Sequence, residues 1–266
     1  MRIYQNVSER RAMTLRELRA RTERYYRRQA ARILFRRPFR IKSLVPIISF
    51  TFDDFPRSAF LIGGAILKQF GLTGTYYASL SLMGRRGRAG LMYLPDDLSA
   101  LLEEGHELGC HTFAHCDSSQ TKADVFEKSI VENRLALKAV CPVSSFKTFS
   151  YPISAPRPWT KRAAARHFLC ARGGGQTFNS GTTDLNYLSA YFLEKSRETP
   201  DAVKKVIYQN SLARGWLICA THDVCEAPTA FGCTPGFFED IVRTAVHSGA
   251  RILPVDQALD ALRNSR

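Results

Sequence analysis

Short runs of apolar, β-branched and aromatic residues recur along the chain from about residue 45, separated by stretches with helical spacing of their apolar positions. Strands are expected at 45–52, 73–79, 106–111, 146–151, 166–172, 187–193, 216–221 and 250–255. Helical patterns fall near 58–70, 96–104, 123–140, 158–166, 200–213 and 236–248. Regular alternation of this kind implies a parallel sheet, and a barrel more than an open sheet.

The polar residues that end these runs carry the candidate chemistry. Ile48-Ser49-Phe50-Thr51-Phe52 stops at Asp53-Asp54, and a buried strand meets carboxylates where it ceases to be buried. The chain turns there, so both side chains can be aimed into one cleft. Leu108-Gly109-Cys110 runs into His111-Thr112-Phe113-Ala114-His115. Two imidazoles four residues apart share a face if the segment is helical, and with one Asp they make a His, His, Asp set. Such a set leaves positions open for water and substrate, as catalytic zinc requires. Phe146 to Pro152 is a third strand that meets a turn, and Trp216 to Thr221 ends in His222-Asp223. Asp53, Asp54, His111, His115, Pro152, Arg172 and His222 all lie at or just beyond the C-terminal ends of expected strands. In a (β/α) barrel those ends share one face.

Each residue also has a plainer reading. Asp53 or Asp54 can cap a helix starting near Pro56. His222 can be a satisfied core histidine. His106, His167 and His247 take the structural reading, since no partner motif surrounds them, and Asp223 is expected to buttress the loop after its strand.

The order Thr51-Phe52-Asp53-Asp54, His111-Thr112-x-x-His115, Phe149-Ser150-Tyr151-Pro152 and Thr221-His222-Asp223 resembles the polysaccharide deacetylases, carbohydrate esterase family 4. The resemblance runs from about Val45 to about Val255, in a variant whose third motif is Phe-x-Tyr-Pro. It implies a distorted (β/α) barrel of about seven or eight parallel strands, acting as a metal-dependent carbohydrate N-deacetylase. It further implies that Asp54, His111 and His115 bind a divalent metal, most simply Zn2+, with Asp53 as general base and His222 as general acid. The backbone N–H of Ile153 would face the oxyanion, and Tyr151, Pro152 and Trp216 are candidate substrate contacts. Many members carry an Arg two residues before the third-motif proline, paired with the catalytic Asp; here that position is Ser150. Arg172, ending the next strand, is the candidate to supply the guanidinium. Asp184 is the candidate for the carboxylate that orients His222.

Charge divides the chain. Net charge is +14, and residues 1–43, with thirteen Arg and one Lys against three Glu, hold +11 of it. That segment is expected to be a basic helical arm, helical from about Ser8 to Phe35, with Leu15, Leu18, Thr22, Tyr25, Tyr26, Gln29 and Ile33 on one stripe, before a catalytic domain at 44–266. The stripe suits packing on the domain, and the charge suits an anionic membrane surface. Nucleic acid is served by the charge alone, without a recognition fold. No transmembrane helix and no secretory signal peptide are expected, and seven cysteines without framework spacing read as reduced. A cytoplasmic location follows, peripheral at the inner membrane face if the arm adsorbs. Cys110 is expected to be a small buried residue and not a ligand. The substrate class is an amino-sugar oligosaccharide or a lipid-linked glycan. The polar insertion Gly84 to Gly90, with Arg85, Arg86 and Arg88, is a candidate lining for anionic sugars. Removal of formyl or another acyl group, hydrolysis of a non-sugar amide, and a non-catalytic carbohydrate- or membrane-binding role are the competing functions.

Overall fold

The computed structural model describes residues 22, 25–26, 29–153 and 155–265. Leu15, Leu18 and most of the expected arm helix therefore lie outside the described residues. The strands are β1 (Pro38–Arg40), β2 (Ile47–Phe52), β3 (Thr75–Ala78), β4 (Arg86–Gly87), β5 (Gly90–Leu91) and β6 (Glu107–Cys110). They continue as β7 (Thr148–Ser150), β8 (Cys170–Arg172), β9 (Thr182–Asp184), β10 (Tyr191–Phe192), β11 (Trp216–Thr221) and β12 (Arg251–Ile252).

Eight of these form one sheet in the order β10-β11-β2-β3-β6-β7-β8, with β12 also beside β2. Every pairing in it is parallel. The sheet curls into a half-barrel. Each of the eight expected strands lands on one of its members, although the runs at 166–172, 187–193 and 250–255 shorten to their last or central residues. Central strand β2 shares its partners along its length: Ile47 and Ile48 pair with β12, Thr51 and Phe52 with β3.

Both faces of β2 are buried, which is why it reads as a continuous apolar run. Ile48, Phe50 and Phe52 pack on the helices; Phe50 meets Phe238 of helix Pro235–His247 and Phe52 stacks on Tyr76 at 4.6 Å. Ile47, Trp216 and Ile218 fill the opposite face with Leu259 of the last helix, Val255–Asn264. Strand alternation then carries Asp53 onto that same face, two residues past Thr51, and His222 two residues past Ala220.

The arm is partly built into this body. Residues 29–33 are helical, and Lys161 Nζ, fully buried, donates to the carbonyls of Ala31 and Leu34 and pairs with Asp184. β1 then adds antiparallel to β9. Among the described residues of the expected stripe, Tyr25, Tyr26 and Ile33 are exposed, while Ala31, off the stripe, is buried against the body. No helix among the described residues is long and apolar enough to cross a membrane.

Candidate active site

Asp53, Asp54, His111, His115, Tyr151, Ile153 and His222 line one cavity of about 350 Å³. Its metal-ligating groups are tightly grouped. One donor atom from each of Asp54, His111 and His115 lies within 4.8 Å of the others. Asp54 Oδ1 is 2.9 Å from His115 Nε2 and 3.5 Å from His111 Nε2, yet this buried oxygen accepts no hydrogen bond. Buried polar atoms are rarely left so. Lone pairs that converge without sharing a proton suit a cation.

The histidine tautomer is fixed from behind. His111 Nδ1 is 2.8 Å from the carbonyl of Ser150, which can only accept, so Nδ1 carries the proton and Nε2 presents its lone pair to Asp54. Burial pushes His111 down to about 4, keeping it neutral. His115 is raised, because Asp54 outweighs its burial. Asp54 itself is held well below the carboxylate range: burial opposes this, and His115 and His111 overcome it.

The segment bearing these histidines is a loop and not the helix under which four-residue spacing brings rings together. Thr112 and His115 have φ of 59° and 49°, and Ser129 holds the loop by accepting from Phe113 N through its carbonyl and from Ala114 N through its hydroxyl. The rings nonetheless sit 5.1 Å apart. Asp54 (φ 61°) and Ile153 (φ 63°) are also left-handed. Each non-glycine residue in this region costs on the order of 1–3 kcal/mol, and such strain concentrates at functional sites.

Arg172 meets Asp53 in a bidentate pair, Nη2 to Oδ1 at 2.6 Å and Nη1 to Oδ2 at 3.1 Å. Both are buried, and the guanidinium lies 4.7 Å over the Tyr77 ring. Burial would raise the Asp53 carboxyl; Arg172, then His111 and His222, hold it below its ordinary value.

Some expected residues are elsewhere. Trp216 does not reach the cavity: it starts β11, is fully buried and donates to Ser49 Oγ, about 20 Å along the strand from His222 at 3.3 Å per residue. Pro152 is buried between Tyr151 and Ile153, its carbonyl accepting from Ser118. Asp184 does not orient His222. Its Oδ1 accepts from Arg37 N and Asn186 N, and its Oδ2 faces Lys161. Asp223 braces its loop through Thr229. Burial pushes the Cys110 thiol up to about 12, and Asn133 donates to it.

Glu194 is the residue the sequence reading missed. It lines the same cavity, and its Oε2 is buried without a partner, as is His222 Nδ1. Burial raises its carboxyl, while its own backbone N–H and His222 pull it back.

Residues 42–168 match the sequence profile of the polysaccharide deacetylases. This stretch, just under half of the chain, is similar to the polysaccharide deacetylase family. It holds Asp53, Asp54, His111, His115, Tyr151 and Ile153, and ends before Arg172. No curated protein sequence matches the chain. Polysaccharide deacetylase folds recur among solved structures. A CE4 family pseudoenzyme from Bacillus anthracis superposes with a TM-score of 0.57 at 11% identity, over 83% of this chain and 67% of its own. The Bc1960 peptidoglycan N-acetylglucosamine deacetylase gives 0.58 at 16%, over 82% and 90%. The chitin deacetylase of the fungal pathogen Colletotrichum lindemuthianum gives 0.58 at 15%, over 82% and 89%.

Proposed function

We propose that the protein hydrolyses the N-acetyl group of an amino sugar in a glycan or glycan precursor, releasing acetate and the free amine. The observation that carries this reading is one buried carboxylate, Asp53, locked by Arg172 beside a Asp54, His111, His115 donor set in a single cavity. One carboxylate and two imidazoles suit zinc, and they would hold it with positions left open. A bound divalent ion supplies a Lewis acid for the amide carbonyl and makes water a stronger acid.

The protein's own groups then divide the work. Asp53 stays anionic, and although each oxygen accepts from Arg172, each keeps a further lone pair for the proton of the attacking water. The backbone N–H of Ile153 faces the developing oxyanion, a contribution typically worth about 2.7–4 kcal/mol. As the C–N bond breaks, His222 gives its proton to the departing nitrogen. Glu194 is the carboxylate that acts on His222, in the place first assigned to Asp184.

Relatives in fold include a pseudoenzyme, so the reaction must be measured. Zinc-loaded protein should release acetate from N-acetylchitotetraose, and both a chelator and Asp53→Asn should abolish it. Release that survives either control sinks the mechanism.

A further inference from the structure

A second cavity of about 290 Å³ adjoins the reaction cavity. Tyr151, Ile153 and Phe192 border both. The floor of the second cavity is the backbone of Gly173, Gly174 and Gly175. Side chains are absent there for a physical reason: a Cβ on Gly173 would fall 2.3 Å from the Tyr187 ring, and one on Gly175 would fall 2.9 Å from Ser189 Oγ. What remains is a backbone surface, buried at Gly173 and exposed by Gly175, flanked by aromatic rings and suited to a sugar ring.

Arg32 brings the charge. It belongs to the basic arm, yet the backbone on either side of it is pinned to the domain. Ala31 is fully buried, the Ala31 and Leu34 carbonyls accept from buried Lys161, and Asn186 Nδ2 donates to the Phe35 carbonyl at 2.8 Å. The Arg32 side chain is exposed and borders the second cavity. Arg88 and Lys195 border the first. The carboxylates of Asp53, Asp54 and Glu194 all line the first cavity, Asp53 being paired with Arg172. Among the described residues, the second cavity is lined by no carboxylate, and Arg32 is its one charged residue.

Resting on the deacetylation proposed above, we infer that the second cavity is a subsite for the unit adjoining the reacting amino sugar. That unit carries an anionic group, a uronic carboxylate or a phosphate, and Arg32 recognises it. A planar guanidinium suits either anion, since both offer two oxygens to its paired N–H groups. The arm thereby contributes a specificity residue to the site.

Binding tests this without turnover. Chelated full-length protein is titrated calorimetrically at low salt with N-acetylchitotetraose, a hyaluronan tetrasaccharide and UDP-N-acetylglucosamine, which are neutral, carboxylate-bearing and diphosphate-bearing. At least one anionic probe should bind about tenfold more tightly than the neutral one, an ordinary gain for one charge-assisted contact. Which of the two it is identifies the anion. Arg32→Gln should erase the preference while leaving the neutral probe within about twofold, and added salt should compress it. Equal binding of all three probes, no binding of any, or a preference that survives Arg32→Gln overturns the subsite. The exposed position of Arg32 makes misfolding of the variant an easily excluded cause, by circular dichroism. An Arg32-dependent preference with no acetate released from any probe by zinc-loaded protein would remove the deacetylase reading and keep the subsite. Acetate release from the neutral tetramer, with no anionic preference, would do the reverse.

Discussion

Arg172 and Asp53 stand 119 residues apart in sequence and form a buried, two-pronged ion pair at the ends of β8 and β2. The guanidinium comes from the strand after the third motif, on the sheet face that alternation assigns to Asp53. Ser150, two residues before Pro152, orients His111 through its carbonyl.

Removing Arg172 strands a buried carboxylate. Arg172→Ala should destabilise the fold by about 3–5 kcal/mol, the usual cost of breaking a buried pair, and lower kcat/KM by roughly a hundredfold or more as Asp53 loses its orientation and charge. Arg172→Lys should recover part of the stability and little of the activity, because an ammonium cannot make the paired contact. Urea unfolding and acetate release measure the two. Undiminished turnover in Arg172→Ala would remove its role.

Zinc should stabilise the protein by binding only the folded donor set. At a free concentration of one hundred times Kd the gain is about 2.7 kcal/mol, read as a rise in Tm that a chelator reverses. His115→Ala and Asp54→Ala should each lose most of that rise. A rise retained in both variants would place the ion elsewhere.

The barrel and most of the site were legible because both depend on strand ends. A buried strand must be apolar and must stop where polar groups begin, so Asp53, Asp54, His111, Arg172 and His222 stood out beside their runs. The same rule applied to the run at 187–193 points to Glu194, one residue beyond it. Trp216 was misplaced because it opens its run, and a strand's two ends lie at opposite ends of the barrel. Asp184 was misplaced because nothing local announces a partner such as Lys161. The antiparallel pairing of β1 with β9 and the hairpin of β4 with β5 were also hidden, since short, partly exposed strands take their identity from their partners.

Lys161 should prove to be the clasp of the arm. Lys161→Met removes a fully buried cation that satisfies two carbonyls and the Asp184 carboxylate, leaving all three without it. A loss of about 3–5 kcal/mol is expected. Proteolysis should then cut near residues 29–37 well before the rest of the chain unfolds. Equal protease resistance in wild type and variant would argue against the clasp.

Glu107, at the opposite end of the strands, should make stability depend on pH. Burial, with Asp256 beside it, pushes its carboxyl up to about 7 from an ordinary 4.5. The folded state therefore holds a proton that the unfolded chain releases. Its contribution to stability is complete below the unfolded pKa and is lost as pH rises through the folded one. The urea midpoint of wild-type protein should fall between about pH 5 and about pH 8, and Glu107→Gln should flatten that fall. Parallel slopes for the two proteins would show that other groups set the dependence.

Glu194 and His222 make the sharpest test of the acid side of the reaction. Both residues line the same cavity, and Glu194 Oε2 and His222 Nδ1 are each buried without a hydrogen-bond partner. The carboxylate therefore acts on the ring through its charge, without a hydrogen bond between the two. Glu194→Gln removes the charge and keeps the shape. It should lower kcat by about tenfold or more with little change in KM. Glu194→Asp should recover part of the loss. An unchanged kcat in Glu194→Gln would mean that Glu194 only packs the wall.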